Sequence, residues 1–325
     1  MKTVKKDMAN MKIVLLDVDT VTNGDVSLAP IERLGEVVGF PLLPPEEVAA
    51  AIGDADAVVC NKTEITSEVM AACENLKFIG VFATGYNNID LAAAKARGIA
   101  VCNVPGYSTD AVAQHVFAMV LSLVGSLAAY DRSVHAGDWV REKRFTYFPY
   151  PLHELAGKTL GIFGCGAIGK KVAAIGRAFG MDILVSTRTP AHCPDETCCL
   201  PDELFAAADV LTFHCPLTPE TQGIINRRTL SLMKPTALLI NTARGGIMDE
   251  VAVADALHAG VIAGAGIDVQ VKEPMAADNP LLSAPHCILT PHIAWAPFET
   301  RVRLIDRVAE NLSAFQNGSP INTVI

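Results

Sequence analysis

Short apolar runs recur along the chain, and most are followed by a stretch with helical spacing. In the first third they fall at residues 12–17, 57–60, 78–82 and 99–102, with helix-patterned segments at 45–51, 66–73 and 90–97. This alternation predicts a small parallel α/β unit. A second series follows, with strands expected at 159–163, 183–186, 210–213, 237–241, 264–268 and 287–290, and helices between them, for example at 168–179 and 250–259. Six strands with intervening helices predict a doubly wound nucleotide-binding sheet. An amphipathic helix is expected over 298–316, stopped by Asn317-Gly318.

Two segments depart from this rhythm. Residues 111–130 contain no Asp, Glu, Lys or Arg, which is membrane-spanning length. Gln114, His115, Ser122 and Ser126 interrupt the run and Gly125 weakens it as a helix, so the expectation is a buried core or interface helix and no membrane partner. The connection at 131–157 is charged and carries Trp139, Phe145, Tyr147, Phe148 and Tyr150, which suggests a contact surface.

Composition narrows the classes. Of 325 residues, 50% are hydrophobic but only 6% aromatic, so the cores must be aliphatic, as suits buried parallel strands. A net charge of −9 argues against nucleic acid as a partner. The nine cysteines are odd in number with no framework spacing, and are expected to be reduced thiols of a cytoplasmic protein. No apolar stretch behind Met1 reads as a signal peptide, and residues 1–10 are expected to be a disordered tail.

Gly164-Cys165-Gly166-Ala167-Ile168-Gly169 follows an expected strand and opens an expected helix. In that setting G-x-G-x-x-G is a dinucleotide fingerprint: glycines allow a tight turn and close approach of a pyrophosphate to the helix N-terminus. The end of the next strand usually carries an acid for the ribose 2′-hydroxyl. Here Thr187 stands there with Arg188 beside it, a pair suited to a 2′-phosphate, so NADP is favoured over NAD.

Three further strand ends deliver Arg244, Glu273 and His292 to the edge where a cofactor would lie. Reducing a 2-keto acid needs a fixed cation for the carboxylate, which Arg can grip bidentately. It needs a proton donor near neutral pH, which suits His. A carboxylate to orient and charge the imidazole suits Glu.

On these residues the chain resembles the D-isomer-specific 2-hydroxyacid dehydrogenase family over nearly its whole length. The matching stretches are Ala83-Thr84-Gly85-Tyr86-Asn87-Asn88-Ile89-Asp90, Gly164 to Gly169, His214-Cys215-Pro216-Leu217-Thr218, Asn241-Thr242-Ala243-Arg244-Gly245-Gly246 and Pro291-His292-Ile293-Ala294-Trp295. The resemblance implies an α/β protein of two Rossmann-like domains with a cleft between them, and usually a homodimer. It implies a discontinuous substrate domain, 1–107 with 296–325, around a dinucleotide domain, 108–295. It also implies that Thr84 and Gly85 offer backbone N–H groups to the substrate carboxylate, that Arg244 binds the carboxylate and keto oxygen, and that His292 is the acid/base with Glu273 as its partner. The acidic ribose-binding residue of the family is missing at Thr187.

Besides Gly164, Gly166, Ala167, Ile168, Gly169, Thr187 and Arg188, the candidate cofactor contacts are Cys215, Pro216, Thr221, Thr242, Ala243, Asp268, His292 and Ala294. Within the family, Asn61-Lys62-Thr63, Gly106-Tyr107-Ser108-Thr109 and His292-Ile293-Ala294-Trp295 look like those of glycerate dehydrogenases and hydroxypyruvate reductases. The expected reaction is reduction of hydroxypyruvate, with glyoxylate poorer, or oxidation of D-glycerate. Lys62 would sit near the distal end of the substrate and Trp295 would narrow the pocket. A short D-3-phosphoglycerate dehydrogenase and a corepressor-like cofactor-sensing protein are the alternatives. His192, Cys193, Cys198 and Cys199 invite a metal reading, but their spacing is not that of a zinc site and no metal is expected. A nucleophilic role for Cys215 lacks a base partner.

Overall fold

The computed structural model describes residues 11–325. Its contacts divide the chain into two units, one running to Ser108 and resuming at Ala296–Ile325, the other Thr109–Trp295. Each is an α/β unit on a wholly parallel sheet.

The first unit holds strands β1 (Met11–Leu15), β2 (Gly35–Gly39), β3 (Ala57–Cys60), β4 (Phe78–Val81) and β5 (Ala100–Cys102) in the order β2-β1-β3-β4-β5. Helices α1 (Ala29–Glu32), α2 (Pro45–Ile52), α3 (Ser67–Ala72) and α4 (Leu91–Ala96) lie between the strands. β3 and β4 are buried along their whole length, as strands covered on both faces must be. The sequence reading missed β2, a Gly-flanked edge strand with little burial.

Chain ends and strand ends meet in this unit. The last helix, given below as α12, returns to it: Phe315 packs on Phe78 with ring centroids 5.1 Å apart and planes tilted by 45°, and Asn311 donates to the Asn103 carbonyl. After β1 the backbone of Asp17 enters the left-handed region at φ 46°, and its side chain is fully buried. Its carboxylate accepts from the N–H groups of Asn61, Lys62 and Thr63 at 2.8, 2.6 and 2.6 Å, and from the Thr63 hydroxyl at 3.0 Å. Burial pushes the Asp17 pKa up, against the pull of those donors.

The second unit contains β6 (Thr159–Phe163), β7 (Asp182–Ser186), β8 (Thr197–Cys198), β9 (Val210–Phe213), β10 (Leu238–Asn241), β11 (Gly264–Ile267) and β12 (Cys287–Leu289). Their order is β12-β11-β10-β9-β6-β7-β8, reversing direction between β6 and β9, the switch point where doubly wound sheets bind ligands. The helices are α5 (Thr109–Val124), α6 (Leu127–His135), α7 (Asp138–Glu142), α8 (Ala167–Ala178), α9 (Pro201–Ala207), α10 (Arg227–Leu230) and α11 (Glu250–His258); α12 (Phe298–Gln316) closes the chain. Beyond the six strands expected, β8 adds a two-residue edge strand.

Two expectations need correction. The single helix read over 111–130 is two, α5 and α6, bent by 56° at Gly125-Ser126, where Ser126 takes φ 45°. No single helix among the described residues is long and apolar enough to cross a membrane, and α5 buries Val112, Val116, Phe117 and Val120. The cysteines are not all thiols: Cys165 and Cys193 are joined as a disulfide, while seven are free. The expected disorder of residues 1–10 falls outside the described residues.

Replacing Asp17 with Ala leaves three backbone N–H groups without their acceptor. At roughly 1–3 kcal/mol for each buried unsatisfied donor, the first unit is expected to lose about 3 kcal/mol or more, measured by urea unfolding. A loss below about 1 kcal/mol would show that water replaces the carboxylate.

Candidate active site

The turn after β6 shows why three glycines recur. Gly164 lies at φ 98°, and a Cβ there would stand 2.7 Å from the His214 carbonyl oxygen. A Cβ on Gly169 would meet the Gly164 oxygen at 2.3 Å, so α8 packs against the turn only without one. Gly166 differs, because a Cβ there would meet no protein atom within 4 Å. Its glycine is not demanded by the protein's own packing, and the space beside it is open to a ligand. Gly166 is also the N-cap of α8, makes no side-chain cap bond, and is followed by a first turn without an acid. That helix end presents N–H groups and positive potential to an anion.

A second sign comes from Thr242, after β10. Its hydroxyl is the one buried side-chain polar atom, among the described residues, without a hydrogen-bond partner. Open space at a helix N-terminus and an orphaned hydroxyl at the same sheet edge fit a bound dinucleotide. Gly164 to Gly169 would hold its pyrophosphate. Thr187, half-buried, and Arg188, exposed, follow β7, where the adenosine ribose would lie.

The loop after β9 is built to stay neutral. Burial pulls the His214 pKa down to about 3, and its Nε2 lies 3.0 Å from the Thr212 hydroxyl. Burial pushes the Cys215 thiol up to about 11, so it is no thiolate nucleophile near neutral pH. Thr221 ties the loop together, accepting from the Thr218 N–H at 2.8 Å and donating to the Pro216 carbonyl at 2.7 Å.

His292 and Glu273 meet directly, with Nδ1 to Oε2 at 2.7 Å. The other oxygen of Glu273 accepts from the Gln270 N–H at 3.0 Å, which fixes the carboxylate. The turn bearing Arg244 lies against that segment so closely that a Cβ on Gly245 would fall 1.9 Å from the Gln270 carbonyl carbon. Asn241 braces this turn, donating to the Arg244 carbonyl at 3.0 Å and accepting from the Ala243 N–H at 3.0 Å. The Arg244 guanidinium donates to the Ala243 carbonyl at 2.7 Å.

Asp268, read from sequence as a cofactor contact, turns both carboxylate oxygens on the chain itself. Fully buried, it accepts from the Thr290 hydroxyl at 2.6 Å, the Ile293 N–H at 2.8 Å and the Ala294 N–H at 3.0 Å. His292, at φ 56°, is the residue between these anchors, and its N–H donates to the Asp268 carbonyl at 2.8 Å. His115 of α5 lies with Nε2 3.1 Å from the Thr290 hydroxyl and 3.6 Å from Asp268. Neither His115 nor Thr290 was singled out from sequence; only the strand end at Thr290-Pro291-His292 gave a signal.

In the first unit, Lys62 is exposed after β3, with its backbone held by Asp17, while Thr84 and Gly85 follow β4. The Thr84 hydroxyl donates to the Val104 carbonyl at 2.9 Å. These residues share the carboxyl edge of their own sheet. Half-buried Trp295 ends the second unit.

The loop read as a possible metal cluster has Cys193 in the disulfide, and no group of three or more candidate ligands gathers among the described residues.

A doubly wound sheet with a dinucleotide turn and a carboxylate-oriented imidazole defines a nicotinamide-dependent oxidoreductase. The model of the D-isomer specific 2-hydroxyacid dehydrogenase NAD binding domain matches residues 117–294, and the chain belongs to this family. It is 43% identical over 321 residues to a hydroxypyruvate reductase of Blautia hydrogenotrophica, covering 97% of this chain and 99% of that one. It is 41% identical over 282 residues to a glycerate dehydrogenase of Methylorubrum extorquens, covering 86% and 88%. A solved NADPH-dependent glyoxylate/hydroxypyruvate reductase of Sinorhizobium meliloti, in complex with NADP and malonate, superposes with a TM-score of 0.83 at 33% identity over 97% of each chain.

Because the folded-state pKa of His214 lies below its unfolded value, the folded protein resists a proton that the unfolded chain accepts. That contribution is complete above about pH 6.5 and drains away as pH falls toward about 3. Between pH 7 and 5 this one group should cost at most about 2 kcal/mol of stability. A His214→Asn variant should show a correspondingly flatter pH dependence in urea unfolding; an unchanged slope would remove His214 as its source.

Proposed function

We propose that the chain reduces hydroxypyruvate to D-glycerate, takes glyoxylate less well, and prefers NADPH. The observation that carries this reading is the 2.7 Å contact of Glu273 with His292, at the carboxyl edge of the sheet that also carries the dinucleotide turn. The names of the relatives support the substrate. With Nδ1 engaged by Glu273, the Nε2 of His292 is the nitrogen left to hand a proton to the keto oxygen. The reduced nicotinamide, when bound, supplies the hydride for the adjacent carbon. Arg244 grips the carboxylate and steadies the oxygen as charge grows on it. Thr84 and Gly85 add backbone N–H groups, Lys62 meets the distal hydroxyl end, and Trp295 limits side-chain length. A phosphorylated substrate would call for more cations than Lys62 provides. Arg188 takes the 2′-phosphate, since no acid stands at Thr187 to repel it.

The chain works in this reading as a cytoplasmic homodimer. The segment containing α6 and α7 exposes Val140 at 80%, Phe145 at 91% and Phe148 at 75%, apolar surface that calls for cover. Beside it, a cavity of about 790 Å³ is lined by Ser126, Arg132, Tyr150 and His153 and lies at the amino ends of the strands, away from the candidate site. Light scattering at micromolar concentration should give twice the chain mass; a monomer overturns the dimer.

His292→Ala should lower kcat by about 10²–10⁴-fold with NADPH affinity kept, while Arg244→Ala should lower kcat and raise KM. Near-normal kcat/KM in His292→Ala would dismiss the acid/base role. Across hydroxypyruvate, glyoxylate, pyruvate, 2-ketoisocaproate and 3-phosphohydroxypyruvate, hydroxypyruvate should lead; a branched or phosphorylated acid ahead by about tenfold, over 1 kcal/mol in transition-state binding, rejects the small-pocket reading. Arg188→Ala should weaken use of NADPH and spare NADH.

A further inference from the structure

The disulfide lies in an unexpected place. Cys165 is the second residue of the Gly164–Gly169 turn, and Cys193 belongs to the loop that leaves β7 and carries Thr187 and Arg188. Both are buried, at 7% and 3% exposure, within the core that also holds Ile162, Val172 and Val185. Their Cα atoms are 6.6 Å apart across a sequence separation of 28, close enough to bridge without backbone movement.

Around Cys193 the loop is a short chain of local bonds. The Thr189 N–H donates to the Thr187 hydroxyl, the His192 N–H to the Thr189 carbonyl, and the Cys193 N–H to the Pro190 carbonyl at 2.8 Å. Beyond it, Glu196 pairs with Arg177 of α8, and the Cys199 N–H donates to the Val185 carbonyl at 2.9 Å. The sulfur–sulfur bond is thus the covalent tie between the turn that would hold the pyrophosphate and the loop that would hold the ribose.

We propose that Cys165 and Cys193 are a redox-modification site, a dithiol oxidised by small-molecule disulfides, and that the bond strengthens dinucleotide binding by fixing the loop that carries Arg188. In the oxidation the reduced loop, no longer tied, opens to bring the Cys193 thiolate out of the core; it attacks a sulfur of the small disulfide, forming a mixed disulfide and releasing one small thiolate, which takes up a proton. The second cysteine thiolate then attacks the cysteine sulfur of that mixed disulfide and releases the second small thiol. The two cysteines together lose two electrons and two protons, and the small disulfide becomes two thiols. Glycine at 164, open space at 166 and the uncapped end of α8 are all present with the bond formed, so the oxidised state is binding-competent. Reduction leaves those groups in place but frees the ribose loop, which must then be ordered on binding. The effect is reciprocal: a ligand that prefers the oxidised state also protects it from reduction.

The test uses the full chain equilibrated in reduced or oxidised glutathione. Thiols are counted by alkylation and mass, the linkage is mapped on peptides, and NADPH affinity is read by fluorescence titration. Oxidation should consume two thiols, yield a linked 165–193 peptide, and tighten NADPH binding about five- to tenfold, a typical size for a coupling of this kind. Saturating NADPH should slow reduction of the bond by dithiothreitol. Cys193→Ser should bind with the weaker affinity in both buffers, and Cys165→Ala should match it if the serine disturbs folding. Cys198→Ser should respond to redox state like the parent. Absence of the linked peptide after oxidation, equal NADPH affinity in the two states, or a redox response that survives in Cys193→Ser would each overturn the proposal.

Discussion

A carboxylate withdrawn from water and surrounded by the chain's own donors sets the position of the candidate acid/base. Asp268 takes three hydrogen bonds from the segment that includes His292, and its backbone carbonyl takes the N–H of His292 itself. A buried polar group is costly unless it is hydrogen-bonded, so the turn cannot relax without exposing that cost. The rigidity passes on to the imidazole, whose remaining freedom is taken by Glu273. Asp17 repeats the device in the other unit, gathering the backbone of Asn61, Lys62 and Thr63. In both units a buried acid just past a strand end shapes the loop that follows a different strand.

The strands that were legible in the sequence are those written as short, nearly continuous apolar runs. β3, β6 and β9 are such runs, buried along most of their length, with Thr212 of β9 a fully buried polar exception among them. β2 and β8 were missed for the opposite reason. Gly35–Gly39 is an edge strand bounded by glycines with Glu36 second, and Thr197–Cys198 is too short to show any period. The break at Gly125-Ser126 was half visible: the glycine weakened the helix on paper, but the left-handed Ser126 is a tertiary outcome.

The site was legible where its meaning is local. Glycine spacing between a strand and a helix states its own purpose, and the strand-end positions of Arg244, Glu273 and His292 follow from sheet topology. What could not be read is whatever depends on which loops become neighbours. The bond between Cys165 and Cys193 joins residues whose spacing carries no signal. Asp17 looked like the tail of a strand until its four donors were seen. Asp268 was noticed for its strand end, while its bonds to Thr290, Ile293 and Ala294 depend on which loops meet, and His115 lies there because α5 packs against the sheet.

The return of α12 to the first unit has a consequence for how the protein is made. Residues 109–295 are continuous in sequence, so all of that unit has been polymerised before α12 is begun. The first unit, although begun earlier, lacks the helix that packs Phe315 against Phe78 and sends Asn311 to the Asn103 carbonyl. During synthesis β4, with Phe78, therefore waits without its covering helix while the later segment is made. Order of translation and order of completion run opposite to each other, and the early-born unit is the one most exposed to chaperones and proteases until the final residues arrive.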